Sequence, residues 1–198
     1  MASVAPISQP KPTLPTHIGR FEPLRVLGRG GQGVVYLARD PKLGRQVALK
    51  TLRKGGANAE RLINEARNVA QLDHPGIVPL YEIDVAGTTP YLVYQFSAGR
   101  PLANHIGAGE RLPAHRTLRV IAEVLDAIGY AHAQGVLHRD LSPSNILVDE
   151  QDHPHILDFG VSTLVASAAS TGEIVGTLNY VPPEVIANGN VGAHSDLY

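Results

Sequence analysis

The first part of the chain alternates apolar and polar positions in short runs that are separated by glycines, a pattern typical of β-strands. Five such runs are rich in aliphatic or aromatic residues and lie at 24–27, 34–38, 47–52, 78–83 and 91–96. Between the third and fourth runs the period changes, because Leu62, Ala66, Val69 and Ala70 recur at helical spacing within residues 58–72. The pattern therefore predicts five strands and one helix.

The second part of the chain follows a mainly helical pattern. A loop-rich region at 99–109 is followed by Pro113, which opens the longest helical pattern, and Gly135 is suited to end that helix. The residues expected on its buried face are Leu118, Ile121, Ala122, Leu125, Ile128 and His132. Two short strands are predicted afterwards, at 146–148 and 155–157. A strand-rich part followed by a helical part predicts an α+β fold.

The first 17 residues differ in composition from the rest. Pro6, Pro10, Pro12 and Pro15 stand there among small polar residues. This composition predicts a disordered, proline-rich leader over residues 1–17. A docking motif is the alternative, and the solvated leader is favoured because the segment holds few residues able to pack.

Charge and composition exclude several classes of protein. The 198 residues carry a formal net charge of -1, which gives no reason to expect nucleic acid or an anionic membrane as a partner. The absence of cysteine excludes disulfides and thiolate metal sites. No apolar run reaches the ~18 residues that a membrane span requires, and no signal peptide is visible, so we expect a cytoplasmic protein.

Two short motifs in the second part carry the chemistry. The octapeptide HRDLSPSN at 138–145 contains Asp140 and Asn145, and the tripeptide DFG begins at Asp158. Phosphoryl transfer from ATP needs a carboxylate that accepts a hydroxyl proton, followed by an amide and a second carboxylate that hold Mg2+. The two motifs, in this order, indicate a phosphotransferase.

These motifs resemble the catalytic loop and the D-F-G element of the eukaryotic-type (Hanks-type) serine/threonine protein kinases. Further motifs of that family occur in the same order: Gly28-x-Gly30-x-x-Gly33-x-Val35, Val47-Ala48-Leu49-Lys50, Gly176-Thr177 and Pro182-Pro183-Glu184. The resemblance covers about residues 18–198 and is to kinases of the bacterial type. It implies a bilobal fold, with a complete small lobe at 18–97 and a large lobe at 98–198 that the end of the chain leaves incomplete.

By this resemblance, ATP binds beneath the glycine-rich loop. The residues expected to contact it are Leu27, Gly28, Gly30, Gly33, Val35, Ala48, Lys50, Leu147 and Asp158. Glycines allow backbone amides to approach the phosphates closely. A dinucleotide-binding fold is disfavoured because a strand, not a helix, follows these glycines. For the apolar members of the set, ordinary core packing is the alternative.

The resemblance also implies the catalytic residues. Asp140 is the expected base, and Lys50, Glu65 and Asn145 complete the catalytic set, with Lys50 paired to Glu65. Asn145 and Asp158 are the expected Mg2+ ligands, since oxygen donors suit this hard cation.

The resemblance implies roles for further residues as well. Arg139 is expected to pair with a phosphate on the activation segment, and His138 to hold backbone. Tyr94 occupies the gatekeeper position, and residues 95–97 form the hinge that meets the adenine edge. Without Glu65 at the expected spacing, Lys50 would be taken for a surface lysine.

One histidine pair suggests a different chemistry. His153 and His155 could bind a metal, but no third ligand is nearby, and a turn between two strands is favoured.

The chain departs from the family pattern in two places. Ser142 stands where serine/threonine kinases usually have a lysine near the transferred phosphoryl group, although Thr177 still favours Ser/Thr over Tyr acceptors. The chain also ends before the region that supplies the usual arginine partner of Glu184.

The function predicted from the sequence is ATP-dependent phosphorylation of Ser/Thr hydroxyls in a protein substrate, with no nucleic-acid partner. The alternative is a catalytically impaired, nucleotide-binding pseudokinase or regulatory fragment, which Ser142 favours. A small-molecule phosphotransferase is a third hypothesis, and the protein-substrate elements at 176–177 and 182–184 argue against it.

Overall fold

The computed structural model describes residues 14–31, 33–52, 63, 66–106, 111–159, 180–186 and 191–198. The predictions that concern most of the leader, Glu65, Gly160 and the Gly176-Thr177 pair lie outside the described residues. The boundary between the two lobes near residue 97 stays a prediction.

A five-stranded antiparallel sheet forms the first lobe. Its strands are β1 (Glu22–Gly30), β2 (Gly33–Asp40), β3 (Arg45–Leu52), β4 (Leu80–Ala86) and β5 (Thr89–Gln95). Their spatial order is β1-β2-β3-β5-β4. The five predicted strands are therefore confirmed, with β4 displaced toward the C-terminus by two to three residues. Residues 63 and 66–69 are helical, as predicted.

The strand register sorts the side chains of this sheet into two faces. Ala48 lies opposite Tyr94, and Val35 lies opposite Lys50. Directly opposite residues point to the same side of a sheet, and residues two apart on one strand do so as well. Val35, Ala48, Lys50 and Tyr94 therefore share the inner face, which meets the second lobe.

The outer face of the sheet has a separate core. Its buried side chains are Ile18, Phe21, Tyr36, Ala38, Val47, Leu49, Tyr91 and Val93. Phe21 and Tyr91 contact each other edge to face, with ring centroids 6.0 Å apart. Because both faces of the central strands are buried, β3 and β5 contain longer apolar runs than a strand with one solvated face would.

The second lobe contains one long helix and a small sheet. The elements are β6 (Arg100–Pro101), α1 (Ala114–Ala133), β7 (Ile146–Val148), β8 (Pro154–Ile156) and the short helix α2 (Pro183–Ile186). Single 3-10 turns lie at Leu102–His105, Pro143–Asn145 and Ala193–Leu197. The strands lie in the order β6-β7-β8. The HRDLSPSN motif therefore lies in the chain between α1 and β7, the middle strand of this sheet.

The predicted buried face of α1 is confirmed at Ile128 and wrong at most of its other positions. The residues that α1 buries are Val120, Val124, Ala127, Ile128 and Ala131. Leu118, Ile121 and Leu125 are instead 72%, 41% and 52% exposed. The helix carries two apolar stripes, and periodicity alone does not decide which of them meets the core.

One core joins the two lobes. Leu92 and Tyr94 from the inner face of the sheet belong to the same buried cluster as Ile128 of α1, Ile156 of β8 and Phe159. The cavity described below therefore lies between elements that share a continuous apolar interior.

We predict that Gly33→Ala lowers the free energy of unfolding by about 2–4 kcal/mol, because it combines overpacking with backbone strain. Gly33 has a φ of 155°, and a Cβ there would lie 1.8 Å from the carbonyl oxygen of Thr51 on β3. Urea denaturation followed by circular dichroism measures the change.

The matched control is Gly129→Ala on α1, where a Cβ would meet no protein atom within 4 Å. This substitution should raise stability by about 0.5–1 kcal/mol, as expected for alanine in a helix interior. Equal effects of the two substitutions would contradict the described pairing of β2 with β3.

Candidate active site

A buried carboxylate anchors the backbone of the HRDLSPSN loop. Asp196 is 5% exposed. Its Oδ1 accepts a hydrogen bond from the Arg139 backbone N–H at 2.6 Å, and its Oδ2 accepts one from the His138 N–H at 2.8 Å. The His132 Nε2 lies 2.8 Å from the same Oδ2. Arg139 has a φ of 67°, a strained conformation for a residue other than glycine, and these bonds stabilise it.

Sequence analysis assigned no role to Asp196 and missed this anchoring contact. In the structure it lies in the 3-10 turn Ala193–Leu197, 57 positions along the chain from Arg139. No local pattern could have predicted the contact.

His138 holds the loop against the strand that leads to Asp158. Its Nε2 lies 2.8 Å from the Leu157 carbonyl oxygen, and the Asp140 N–H donates to its Nδ1 at 3.2 Å. A carbonyl oxygen only accepts, so the ring proton is on Nε2 and the imidazole is neutral. Burial lowers the pKa of His138, which also favours the neutral ring. The ring therefore binds backbone, as expected from the sequence.

The predicted base and one predicted metal ligand are in direct contact. The Asn145 Nδ2 donates to the Asp140 carbonyl oxygen at 2.8 Å and to the Asp140 carboxylate at 3.4 Å. Both bonds use the amide nitrogen, so Oδ1, the atom of Asn145 that can bind a cation, takes no part in them. Burial raises the pKa of Asp140 and makes it a stronger proton acceptor than an exposed aspartate.

Lys50 and Asp158 form an ion pair between the sheet and the second lobe. The Lys50 Nζ lies 2.8 Å from the Asp158 Oδ2. Lys50 is 5% exposed, and Asp158 has a φ of 62°. A charge buried to this extent needs a close counter-charge. The predicted pairing of Lys50 with Glu65 lies outside the described residues.

A cavity of about 990 Å³ contains this ion pair and opens between the lobes. All nine residues predicted to contact ATP line it: Leu27, Gly28, Gly30, Gly33, Val35, Ala48, Lys50, Leu147 and Asp158. Asp140, Ser142, Asn145, Tyr94 and the predicted hinge residues line it as well. Its volume suits a ligand of the size of a nucleotide.

Two glycines of this cavity have no packing reason to be glycine. A Cβ added at Gly28 or Gly30 would meet no protein atom within 4 Å. Their absent side chains instead leave room along the backbone of β1. A ligand that lies against backbone amides, such as a phosphate chain, would use this room.

The oxygen donors of the cavity suit Mg2+. This ion is usually held by one or two carboxylates together with substrate phosphates, and it keeps several waters. Asp158 and Asn145 both line the cavity. Among the described residues no group of three His, Asp or Glu side chains could hold a metal, and an ion shared with phosphates does not need one. The donor set therefore fits Mg2+ bound together with ATP.

The His153 and His155 pair is used in two separate contacts. The His153 Nδ1 lies 3.0 Å from Glu123, and the His155 Nε2 lies 3.1 Å from Asp149. The two rings thus contact two different carboxylates, which supports the turn interpretation over a metal pair.

Ser142 is buried at the edge of the cavity and contributes no charge. It is 7% exposed, and its carbonyl oxygen accepts the Asn145 N–H at 2.9 Å. Within the described ranges, the cations that line the cavity are Arg25, Arg29 and Lys50. None of them belongs to the catalytic loop, where the family pattern usually supplies a lysine.

Glu184 has partners close to it in sequence. The Ser195 hydroxyl donates to its carboxylate, and the His194 Nε2 lies 3.2 Å away. The bond from Ser195 lowers the pKa of Glu184. Among the described residues, Ser195 and His194 thus contact Glu184, which is paired with an arginine in the usual family pattern.

No helix within the described ranges is both long and apolar enough to cross a membrane.

Comparisons with known proteins identify the family and several relatives of this chain. The family model described as "Protein kinase domain" matches residues 21–198. The serine/threonine-protein kinase PrkC of Bacillus subtilis is 36% identical over 186 residues, which cover 91% of this chain and 29% of that protein. The serine/threonine-protein kinase PknB of Mycobacterium tuberculosis is 35% identical over 199 residues, which cover 94% of this chain and 32% of that protein. The chain thus spans about a third of the length of these relatives.

We predict that Asp196→Ala lowers the free energy of unfolding by about 2–5 kcal/mol, because it leaves the backbone N–H groups of His138 and Arg139 buried without an acceptor. Guanidinium denaturation measures the loss.

Asp126→Ala is the matched control. Asp126 also contacts a histidine, His74, but its side chain is 79% exposed, and exposed pairs of this kind contribute little. The anchoring role would be refuted if both substitutions had the same small effect.

Proposed function

This chain belongs to the protein kinase domain family, and we propose that it transfers the γ-phosphoryl group of ATP to Ser or Thr hydroxyls of a protein substrate. The observation that carries the proposal is the meeting of Asp140, Asn145, Lys50 and Asp158 at one cavity of nucleotide size. These four residues come from β3, from the catalytic loop and from the DFG element. Together they supply the groups that phosphoryl transfer requires: a carboxylate base, a lysine for the phosphates and two ligands for Mg2+.

Asp140 has the role of general base in this mechanism. Its carboxylate orients the acceptor hydroxyl and accepts its proton, and the bond from Asn145 fixes its direction. Burial raises the pKa of Asp140, which favours proton transfer to its carboxylate.

Lys50 binds the phosphates of ATP. In the structure its ammonium group contacts Asp158, so nucleotide binding moves this charge, wholly or in part, from the carboxylate to the phosphates. Asp158 and Asn145 are the residues that would hold Mg2+, which neutralises charge on the phosphates when bound. Leu27, Val35 and Ala48 above and Leu147 below would enclose the adenine and exclude water.

The names of the relatives support the choice of acceptor. PrkC and PknB are both serine/threonine-protein kinases, and Thr177 agrees with a Ser/Thr acceptor. The Pro182-Pro183-Glu184 element favours a protein substrate over a small molecule.

A second function has one specific observation in its favour. Ser142 lines the cavity without a charge, where the family usually places a lysine beside the γ-phosphoryl group. A nucleotide-binding kinase relative with impaired transfer is therefore the alternative. Intact Lys50, Asp140, Asn145 and Asp158 oppose it.

We predict that Lys50→Met and Asp158→Ala each weaken Mg-ATP binding by about 10- to 100-fold, as expected for the loss of a charged contact. Calorimetry with the purified 198-residue chain measures the affinity. Lys42→Met, which removes a lysine outside the cavity, is the control and should bind as the unchanged chain does. Wild-type affinity in both cavity variants would exclude the proposed site.

We predict that Ser142→Lys raises kcat for phosphoryl transfer by up to roughly 100-fold, because a missing preorganised donor costs about that much in rate. ATP affinity should change little, since Lys50 and the metal hold the ground state. Transfer of labelled phosphate to a general protein substrate measures kcat. Ser142→Met, of similar length without charge, should not reproduce the gain.

These measurements also separate the two functions. A folded Ser142→Lys variant that binds Mg-ATP but transfers no faster than wild type refutes the proposed deficit. If neither the wild-type chain nor the Ser142→Lys variant transfers phosphate while both bind Mg-ATP, the second function, a nucleotide-binding kinase relative with impaired transfer, is favoured.

A further inference from the structure

Tyr94 places a hydroxyl in the protein interior without a hydrogen bond. The residue is 5% exposed, and its buried hydroxyl bonds to none of the described residues. Buried polar groups are nearly always bonded, so an unpaired one needs an explanation. A phenylalanine would fill the same space without this penalty.

The same strand shows a tyrosine hydroxyl that is paired. Tyr91 is also buried, and its hydroxyl donates to Asp84 at 3.2 Å on the outer face of the sheet. Strand β5 therefore carries one buried phenol that has a hydrogen-bond partner, Tyr91, and one that lines the cavity and has none, Tyr94.

The unpaired hydroxyl lies near the Lys50–Asp158 ion pair. Tyr94 is opposite Ala48, so it shares the inner face of the sheet with Lys50, two residues further along β3. Tyr94, Lys50 and Asp158 all line the cavity. Burial, then the charge of Asp158 and an interaction of the hydroxyl with the Asp158 side chain, raise the pKa of Tyr94. The hydroxyl therefore lies near this carboxylate without reaching hydrogen-bond geometry. A phenol carries its proton at neutral pH, so Tyr94 can act as a donor.

The ion pair holds the Asp158 carboxylate in an orientation in which the Tyr94 hydroxyl makes no hydrogen bond to it. Lys50 already occupies Oδ2 of Asp158 at 2.8 Å. A carboxylate that loses such a partner in a buried place needs another donor to keep its orientation. Lys50 is the residue that ATP phosphates would draw away from Asp158.

We propose that Tyr94 is a positioning residue for Asp158: once Lys50 moves to the phosphates, the Tyr94 hydroxyl donates to the carboxylate and keeps an oxygen of Asp158 directed at Mg2+. This inference rests on the proposed function, because it requires Mg-ATP at this cavity. It assigns a chemical role to the gatekeeper residue, in addition to its bulk.

The test is the Mg2+ dependence of ATP binding by Tyr94→Phe, measured by calorimetry on the 198-residue chain. The Mg2+ concentration that gives half of the full affinity gain should rise about 3- to 10-fold, the range expected for one lost hydrogen bond. Affinity for ATP without Mg2+ should change less than about twofold, since the ring is retained. The melting temperature should not fall, because the substitution removes an unpaired buried group.

Two controls distinguish the possible failures. Tyr91→Phe, which removes the paired hydroxyl on the outer face, should leave the Mg2+ dependence unchanged. Asp158→Asn should abolish most of it. If Asp158→Asn keeps the wild-type Mg2+ dependence, the proposed metal site is wrong and the role of Tyr94 is overturned with it.

If Asp158→Asn loses the dependence while Tyr94→Phe retains the wild-type value, the proposed function stands and only the positioning role is overturned. A Tyr94→Phe variant that loses affinity equally with and without Mg2+ also overturns it, because that result shows a role in shaping the cavity alone.

Discussion

The Asp196 carboxylate connects three parts of the candidate site that lie far apart in the chain. It accepts the backbone N–H groups of His138 and Arg139. His138 in turn contacts the Leu157 carbonyl oxygen, next to Asp158, and the Leu157 N–H donates to the Asn145 carbonyl oxygen at 2.8 Å. The positions of Asp140, the proposed base, and of Asn145 and Asp158 thus depend on one buried acceptor. A buried carboxylate costs several kcal/mol unless donors surround it, so the network stabilises the charge as well as the loop.

The sheet contributes the opposite wall of the site through the two-sided burial of β3. Its outer residues, Val47 and Leu49, pack in a core of their own, which leaves the inner side of the strand for Ala48 and Lys50. The lysine charge is tolerated there because Asp158 reaches it from the second lobe. The ion pair therefore links the lobes at the place where a nucleotide would insert, and its separation on binding would be compensated by the phosphates.

The cavity combines features that favour transfer with one that opposes it. Asp140 is held by Asn145, and the glycines of β1 leave the backbone accessible. Ser142 lacks the charge that the family usually places in the catalytic loop. Membership of the protein kinase family accounts for the arrangement. Under the proposed function, the balance of charge around the γ-phosphoryl group would determine the rate of transfer. Positions 142 and 144 of this loop are both serines, whose hydroxyls carry no charge.

Sequence patterns were sufficient to predict the strands of the first lobe and the α+β class, and the kinase resemblance predicted nine of the residues that line the cavity. These features follow from local periodicity and from motifs whose spacing is set within one turn or one hairpin. The catalytic roles of these residues stay predictions.

Packing between distant parts of the chain fixes the other features. These are the buried stripe of α1, the anchoring of the HRDLSPSN loop by Asp196, the contacts of Glu184 and the lack of a hydrogen-bond partner for the Tyr94 hydroxyl among the described residues. Two apolar stripes on one helix are equivalent until a neighbour packs against one of them. Contacts such as those of Asp196 with Arg139 and of Lys50 with Asp158 join residues 57 and 108 positions apart. No local pattern specifies such a pair, because the distance between its members is set by the packing of the elements that carry them.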